Sequence, residues 1–230
     1  MPAEKTKLWY IQNFDPFRHM RDEDYDLIDE HSHMREVKKG EVLYLEGSSD
    51  MNIYMLKKGA VKISKLNPQG KEIILDIFGQ GAIFGEMPGV DLETRDESAV
   101  VVEDGLICTM ERKYFDRALQ AIPDLSTSVT KMIGLRRHKI ENKLISLLYS
   151  SVRQRLARTL LTLLEEFGAP HDKGRMINVK LTHMDYADLI ASTRETVTAE
   201  LNKLRSEGVI DFDGKHVVVT NADRLRSIAG

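Results

Sequence analysis

Cysteine and tryptophan each occur once in this chain of 230 residues and proline six times, and no apolar run approaches the roughly 18 residues of a membrane span. Cys108 alone rules out an intrachain disulfide and a four-cysteine iron–sulfur cluster, and agrees with a reducing compartment. In the β-prone run Leu106-Ile107-Cys108-Thr109-Met110 it reads as a small buried hydrophobe. The opening MPAEKTKLWY lacks the apolar core of a secretion signal, so the expected location is the cytoplasm, with no membrane partner. Gly-rich phosphate loops, metal-ligand spacings and a nucleophile elbow are missing, and Cys108 has no neighbouring His to activate it. Catalysis is therefore not expected.

Excess charge of one sign is also missing. The net charge is -3, with 12 Lys and Arg against 11 Asp and Glu from Val152 onward and 21 against 25 before it. Any nucleic-acid-facing charge must be local rather than a basic coat, which favours site-specific, salt-sensitive binding.

The most organised stretch runs from Leu181 to Ile210. Tyr186, Leu189 and Ile190, then Val197, Leu201 and Leu204, form two helical patterns separated by Ala191-Ser192-Thr193. Thr182 with Asp185 reads as the start of the first helix, Ser192 with Glu195 as a capping box for the second, and Gly208 as the stop. Small Ala187 lets the helices cross closely, as a helix-turn-helix requires. Placing Val197, Leu201 and Leu204 inward turns Glu195, Thr198, Ala199 and Asn202 to the opposite face, with Arg194 in the first turn. Arg194 suits guanine O6 and N7, and Glu195 suits cytosine N4. Taken alone, Glu195 could simply close a cap and Arg194 could be solvated. The following Val209–Phe212 and His216–Val219 runs, joined at Asp213-Gly214, form a hairpin signal that converts the motif into a winged helix. The expected DNA-contacting set is Thr182, Ser192, Arg194, Glu195, Thr198, Ala199 and Asn202.

Upstream, Leu8 to Met34 has helical character, with Phe14, Phe17, Met20, Leu27 and Ile28 available for packing. From Val37 onward, short β-prone runs (Val42–Leu45, Ile53–Leu56, Val61–Ile63, Ile73–Ile77) are punctuated by glycines, indicating an antiparallel roll. A helix starts near Tyr114, and Pro123-Asp124 opens a longer one to about Tyr149. Leu125, Val129, Met132, Ile133, Ile140, Leu144 and Leu147 along it lie near a heptad seam, which predicts a parallel homodimer. Arg136 interrupts the seam and needs a partner, either Glu141 or an anionic ligand. Residues 168–174 read as a loop and Met176–Leu181 as a strand. The expected fold is α+β: an N-terminal antiparallel β-roll like a cyclic-nucleotide-binding domain, a long dimerisation helix and a C-terminal winged helix-turn-helix. The domain limits are 1–123, 124–151 and 152–230.

This order resembles the CRP/FNR family of bacterial transcription regulators over nearly the whole chain. The residues that carry the likeness are the glycine-punctuated roll, Phe84-Gly85-Glu86, Arg155-Leu156-Ala157 and Ser192-Thr193-Arg194-Glu195-Thr196-Val197. The resemblance implies a two-fold symmetric DNA operator, RNA polymerase as a partner, and a small effector held between roll and dimer helix. Cyclic AMP receptors carry an Arg-Ser pair and a Thr-Ser pair where this sequence has Glu97-Ser98 and Ile140-Glu141, and a carboxylate there would repel a phosphate. The nitrogen regulators of the NtcA type, which bind 2-oxoglutarate, are nearer. Their arginine four residues before an alanine matches Arg95 before Ala99, and their Arg and Glu five apart on the dimer helix match Arg136 and Glu141; the expected effector site also takes in Phe84, Gly85 and Glu86, the last an extra acid. A small anionic effector is therefore expected. Haem, for which His31, His33 and Met34 are the available ligands, is not. An effector-independent or haem-based regulator of the same fold, and a ligand-free interaction module, remain the alternatives.

Overall fold

The computed structural model describes residues 7, 11, 17, 20–85 and 93–230, without the side chains of 22 and 23. Glu86, Phe14 and most of the N-terminal segment lie outside the described residues. By its internal contacts the chain falls into two units, 1–63 with 77–139, and 64–76 with 140–230.

Helix α1 (Asp22–Glu30) precedes strands β1 (Ser32–Val37), β2 (Val42–Tyr44), β3 (Asn52–Leu66), β4 (Glu72–Phe78), β5 (Ile83–Gly85) and β6 (Ser98–Glu111), of which the 64–76 hairpin of β3 and β4 falls in the second unit and the rest in the first. The sheet order is β1-β6-β3-β4, with β2 on β6 and β5 on β3. Helical character expected as far as Met34 therefore ends early. Residues 32–37 pair antiparallel with 105–110, and that pairing outweighs local preference.

β3 is one strand where the sequence suggests two. It passes through Gly59 at φ 93°, where a Cβ would lie 2.8 Å from the Asp104 carbonyl, and a Cβ on Gly105 would lie 2.1 Å from that of Lys58. Two glycines thus let β3 and β6 cross closely without ending either strand.

Because strand side chains alternate faces, β3 serves two cores. Ile53 and Met55 join Ile28, Cys108, Met110, Phe115, Leu125 and Val129, while Tyr54 and Leu56 join Tyr44, Phe84, Val101 and Ile107 inside the roll. The first core is closed by α2 (Arg112–Ala121) and the start of α3 (Pro123–Tyr149).

That arrangement corrects the reading of the seam. Leu125 and Val129 are buried in their own chain, and Met132 packs against the same core. The large apolar and aromatic side chains left exposed on α3 are Ile133, Leu135, Ile140, Leu144, Ile145, Leu148 and Tyr149. The guanidinium of Arg136 sits 4.6 Å from the Phe78 ring centroid and 3.8 Å from Glu97, a neighbour the sequence did not suggest, and Glu141 is an exposed residue further along α3.

In the second unit, Ser151 caps α4 (Val152–Phe167) through a capping box with Gln154. Strands β7 (Gly168–His171), β8 (Gly174–Ile177), β9 (Ile210–Asp213) and β10 (His216–Val219) form a sheet in the order β7-β8-β10-β9. Residues 168–171, expected as loop, are a strand because the β8 backbone supplies hydrogen-bond partners despite their Gly and Pro content. Beyond β8 the chain is irregular to Thr182, so the expected strand to Leu181 stops at Ile177. Helices α5 (His183–Leu189), α6 (Arg194–Ser206) and α7 (Ala222–Ala229) complete the unit. No helix among the described residues is long and apolar enough to cross a membrane.

Candidate nucleic-acid interface and sensor site

α5 and α6 form the helix-turn-helix. Thr182 caps α5, its hydroxyl accepting from the Asp185 backbone N–H while Asp185 accepts from the Thr182 backbone, the reciprocal box expected. The corner turns at Ala191, which takes φ 49°, and closes with the Ser192 N–H donating to the Ala187 carbonyl at 2.9 Å. The cap of α6 differs from expectation. Thr193, not Ser192, is the N-cap and accepts from the Thr196 N–H at 3.2 Å, so no Ser192–Glu195 box forms. Glu195 is thereby released from capping.

Val197, Leu201 and Leu204 are fully buried, together with Ala187 of α5. Arg194, Glu195, Ala199 and Asn202 are exposed on α6, and Ser192 is half-buried. Thr198 is half-buried too, and its hydroxyl is already engaged by the Arg194 carbonyl at 2.8 Å and by His183 Nδ1 at 2.8 Å.

Arg155 of α4 fixes the corner to the body of the unit. Its Nε donates to the Ile190 carbonyl at 2.9 Å and its Nη1 to the Ser150 carbonyl at 2.8 Å. The wing hairpin β9–β10 turns at Gly214 with φ 57°. At its base, Lys173 and Arg205 hold the Asp211 carboxyl down at about 2, the Lys173 hydrogen bond being the larger cause. The tip of the β3–β4 hairpin belongs to this unit as well. Lys71 Nζ lies 3.9 Å from the buried Asp188 and 3.4 Å from the Ser192 carbonyl.

Inside the roll, Arg95 is 2% exposed. Its guanidinium lies 4.2 Å from the Tyr44 ring centroid and 5.8 Å from that of Tyr54, and Tyr54 stacks on Phe84 at 5.4 Å. Nη2 donates to the Asn52 carbonyl at 2.6 Å and lies 3.9 Å from Asp50. Nε and Nη1 are buried without a hydrogen-bond partner among the described residues. Leaving a buried donor unpaired costs about 1–3 kcal/mol, so these two N–H groups call for an acceptor. A Cβ at Gly85 would lie 3.1 Å from Nη1 and 2.6 Å from the Asn52 carbonyl, so only glycine leaves the guanidinium its place.

The Tyr44 hydroxyl donates to Glu97 at 3.1 Å, and Glu97 in turn faces Arg136. Burial, the largest cause, raises the Tyr44 hydroxyl pKa, and the Glu97 carboxylate adds to it. Burial likewise raises Tyr54, whose hydroxyl donates to Asp50 at 2.5 Å. Phe84, Gly85, Arg95 and Arg136 therefore belong to one connected cluster. Tyr44, Tyr54 and Asp50 were missed in the sequence, where they look like ordinary strand and turn residues. His31 stacks on Tyr114 at 3.8 Å between ring centroids, and no group of three or more His, Cys, Asp or Glu among the described residues could hold a metal.

A glycine-punctuated antiparallel roll, a long helix and a winged helix-turn-helix are together the parts of a DNA-binding regulator. Residues 34–121 match the cyclic nucleotide-binding domain family and residues 154–228 the Crp-like helix-turn-helix domain family. The anaerobic regulatory protein of Bacillus subtilis is 31% identical over 210 residues, spanning 88% of this chain and 86% of that one. A global nitrogen regulator of Synechocystis is 30% identical over 185 residues, 80% and 82% of the two chains. Among solved structures, a CRP-family transcriptional regulator of Thermus thermophilus superposes with a TM-score of 0.73 at 26% identity, covering 85% of this chain and 96% of that one. A c-di-GMP-responsive global regulator of Xanthomonas campestris shares the fold, with a TM-score of 0.74 at 22% identity and coverage of 86% and 99%. The chain belongs to the CRP/FNR family of transcription regulators.

Proposed function

We propose that the protein is a homodimeric, sequence-specific DNA-binding regulator that reads a two-fold symmetric operator and is gated by a small anionic effector in the roll. The observation that carries the DNA reading is the division of α6: Val197, Leu201 and Leu204 face inward while Arg194, Glu195, Ala199 and Asn202 are left to solvent. That is the face an HTH reading helix offers to a major groove. Arg194 and Glu195 would read one G·C pair, and Ala199 would offer a methyl to thymine. Thr182 and Ser192 would contact the backbone.

The exposed apolar stripe of α3, Ile133, Ile140, Leu144 and Leu148, supports pairing of two chains. The pair sets the two reading heads about one helical turn apart. Such a regulator works in the cytoplasm alongside RNA polymerase.

For the effector, Arg95 supplies two buried donors that no described residue satisfies and Arg136 a second guanidinium, and forks of this kind suit carboxylates. Some relatives are described as cAMP-activated and others as nitrogen regulators. A cyclic phosphate fits less well, because Glu97 puts a carboxylate beside Tyr44 and Arg136. The same contact favours a second reading, an effector-independent regulator in which Glu97 acts as the internal anion.

The test is selection of bound duplexes from a random pool at two salt concentrations, with and without 2-oxoglutarate. A single two-fold symmetric motif that survives higher salt supports the proposal, and a bound pool with no sequence bias overturns it.

A further inference from the structure

His183 opens α5, Thr198 lies in the second turn of α6, and Phe212 is in the wing strand β9. The His183 ring brings all three together, with Nδ1 2.8 Å from the Thr198 hydroxyl and the ring centroid 6.4 Å from that of Phe212. The Thr198 hydroxyl is also 2.8 Å from the Arg194 carbonyl. A hydroxyl has one proton to give. The carbonyl can only accept, so the proton goes to Arg194, and Thr198 must accept from His183. This fixes the proton on Nδ1 of the imidazole.

We infer that His183 is a positioning residue for base reading, and that Thr198 offers DNA its methyl rather than its hydroxyl. The chain His183 Nδ1–H to Thr198 Oγ1–H to the Arg194 carbonyl ties the residue proposed as the leading base reader to the start of α5. It sets where the first turn of α6 sits relative to the helix that crosses the DNA backbone. This rests on the reading of α6 as the base-contacting helix. It goes beyond that reading by taking the Thr198 hydroxyl out of direct recognition and giving a role to His183, which carries none in the recognition scheme. A methyl contact distinguishes thymine from the other bases but does not read a donor–acceptor pattern.

The test uses the full-length protein and a duplex obtained by selection. His183→Asn places an amide N–H where Nδ1 stands, whereas His183→Gln carries its nitrogen one atom further out, and Thr198→Val keeps a methyl while removing the hydroxyl. Affinity is measured for the selected duplex, for duplexes changed at each base pair and for non-specific DNA, with the melting midpoint of every variant. His183→Asn should stay near the parent. His183→Gln and Thr198→Val should each lose about tenfold for the selected duplex and relax preference at the Arg194 base pair, with non-specific affinity unchanged. The double variant should be no worse than either single, because both break one chain.

Equal losses for the Asn and Gln variants, or additive losses in the double, would overturn the inference. The second result would mean that the Thr198 hydroxyl contacts DNA itself. A melting midpoint lowered only in His183→Gln leaves the decision to Thr198→Val and His183→Asn. Arg194→Ala serves as the separate arm: unchanged base preference there sinks the reading of α6 itself, whatever His183 does.

Discussion

The carboxylate of Glu97 lies 3.8 Å from the guanidinium of Arg136, and its other oxygen accepts from the Tyr44 hydroxyl at 3.1 Å. Sequence comparison with cyclic AMP receptors casts Glu97 as a group that repels an anionic ligand. In the fold it is also the counter-ion that lets Arg136 lie half-buried on Phe78. An effector carboxylate reaching Arg136 must compete with Glu97.

Glu97→Gln should therefore strengthen binding of a dicarboxylate such as 2-oxoglutarate, read as a larger ligand-induced rise in melting temperature, and Arg136→Ala should abolish that rise. An Arg136→Ala protein with the parent's ligand shift would remove Arg136 from the site.

Arg194→Ala should cost about 1–3 kcal/mol of binding per half-site and relax specificity at one base pair. Competition binding against duplexes altered at that pair measures both. Parental affinity in the variant would withdraw Arg194 as a reader.

Much of this is legible in the sequence. Two short helices with a hairpin behind them follow from apolar spacing and from Asp213-Gly214, because inward residues of a helix and the positive φ of a tight turn leave marks in the sequence. Periodicity does not say what covers an apolar face. The α3 seam therefore read as one strip, although Leu125 and Val129 are covered by their own chain and Ile140 and Leu144 are not. Adjacent hydroxyls at Ser192 and Thr193 are equivalent as cap signals, and only backbone direction chose Thr193. Arg95 entered the expected pocket by resemblance alone, since nothing local in the sequence records that Tyr44, Tyr54 and Asn52 converge on it.

The stripe on α3 gives a separate prediction. Ile140 and Leu144 are 61% and 57% exposed in the single chain. Replacing both with Asp should leave each chain folded by circular dichroism yet shift the sedimenting species from two chains to one, because buried like charges across a seam are costly. A persistent dimer would place the pairing surface elsewhere.

Lys57 is buried, and desolvation lowers its pKa from 10.5 to about 8. Between those values the unfolded chain holds a proton that the folded chain has shed, so stability rises with pH, by at most about 1.4 kcal/mol per unit from this group. Cys108, raised above 9.0 by burial, acts in the opposite sense once pH passes 9.0, so the clean window runs from about 8 to 9. Denaturant midpoints across that window should climb for the parent relative to Lys57→Met. A constant difference would show that Lys57 remains charged in the fold.

The most direct check on the account is the mass of the complex on a duplex carrying the selected site. Two chains on one two-fold duplex, reduced to weak and sequence-indifferent binding by Arg194→Ala, is the predicted result. One chain per duplex, or two chains bound equally well to any sequence, would contradict it.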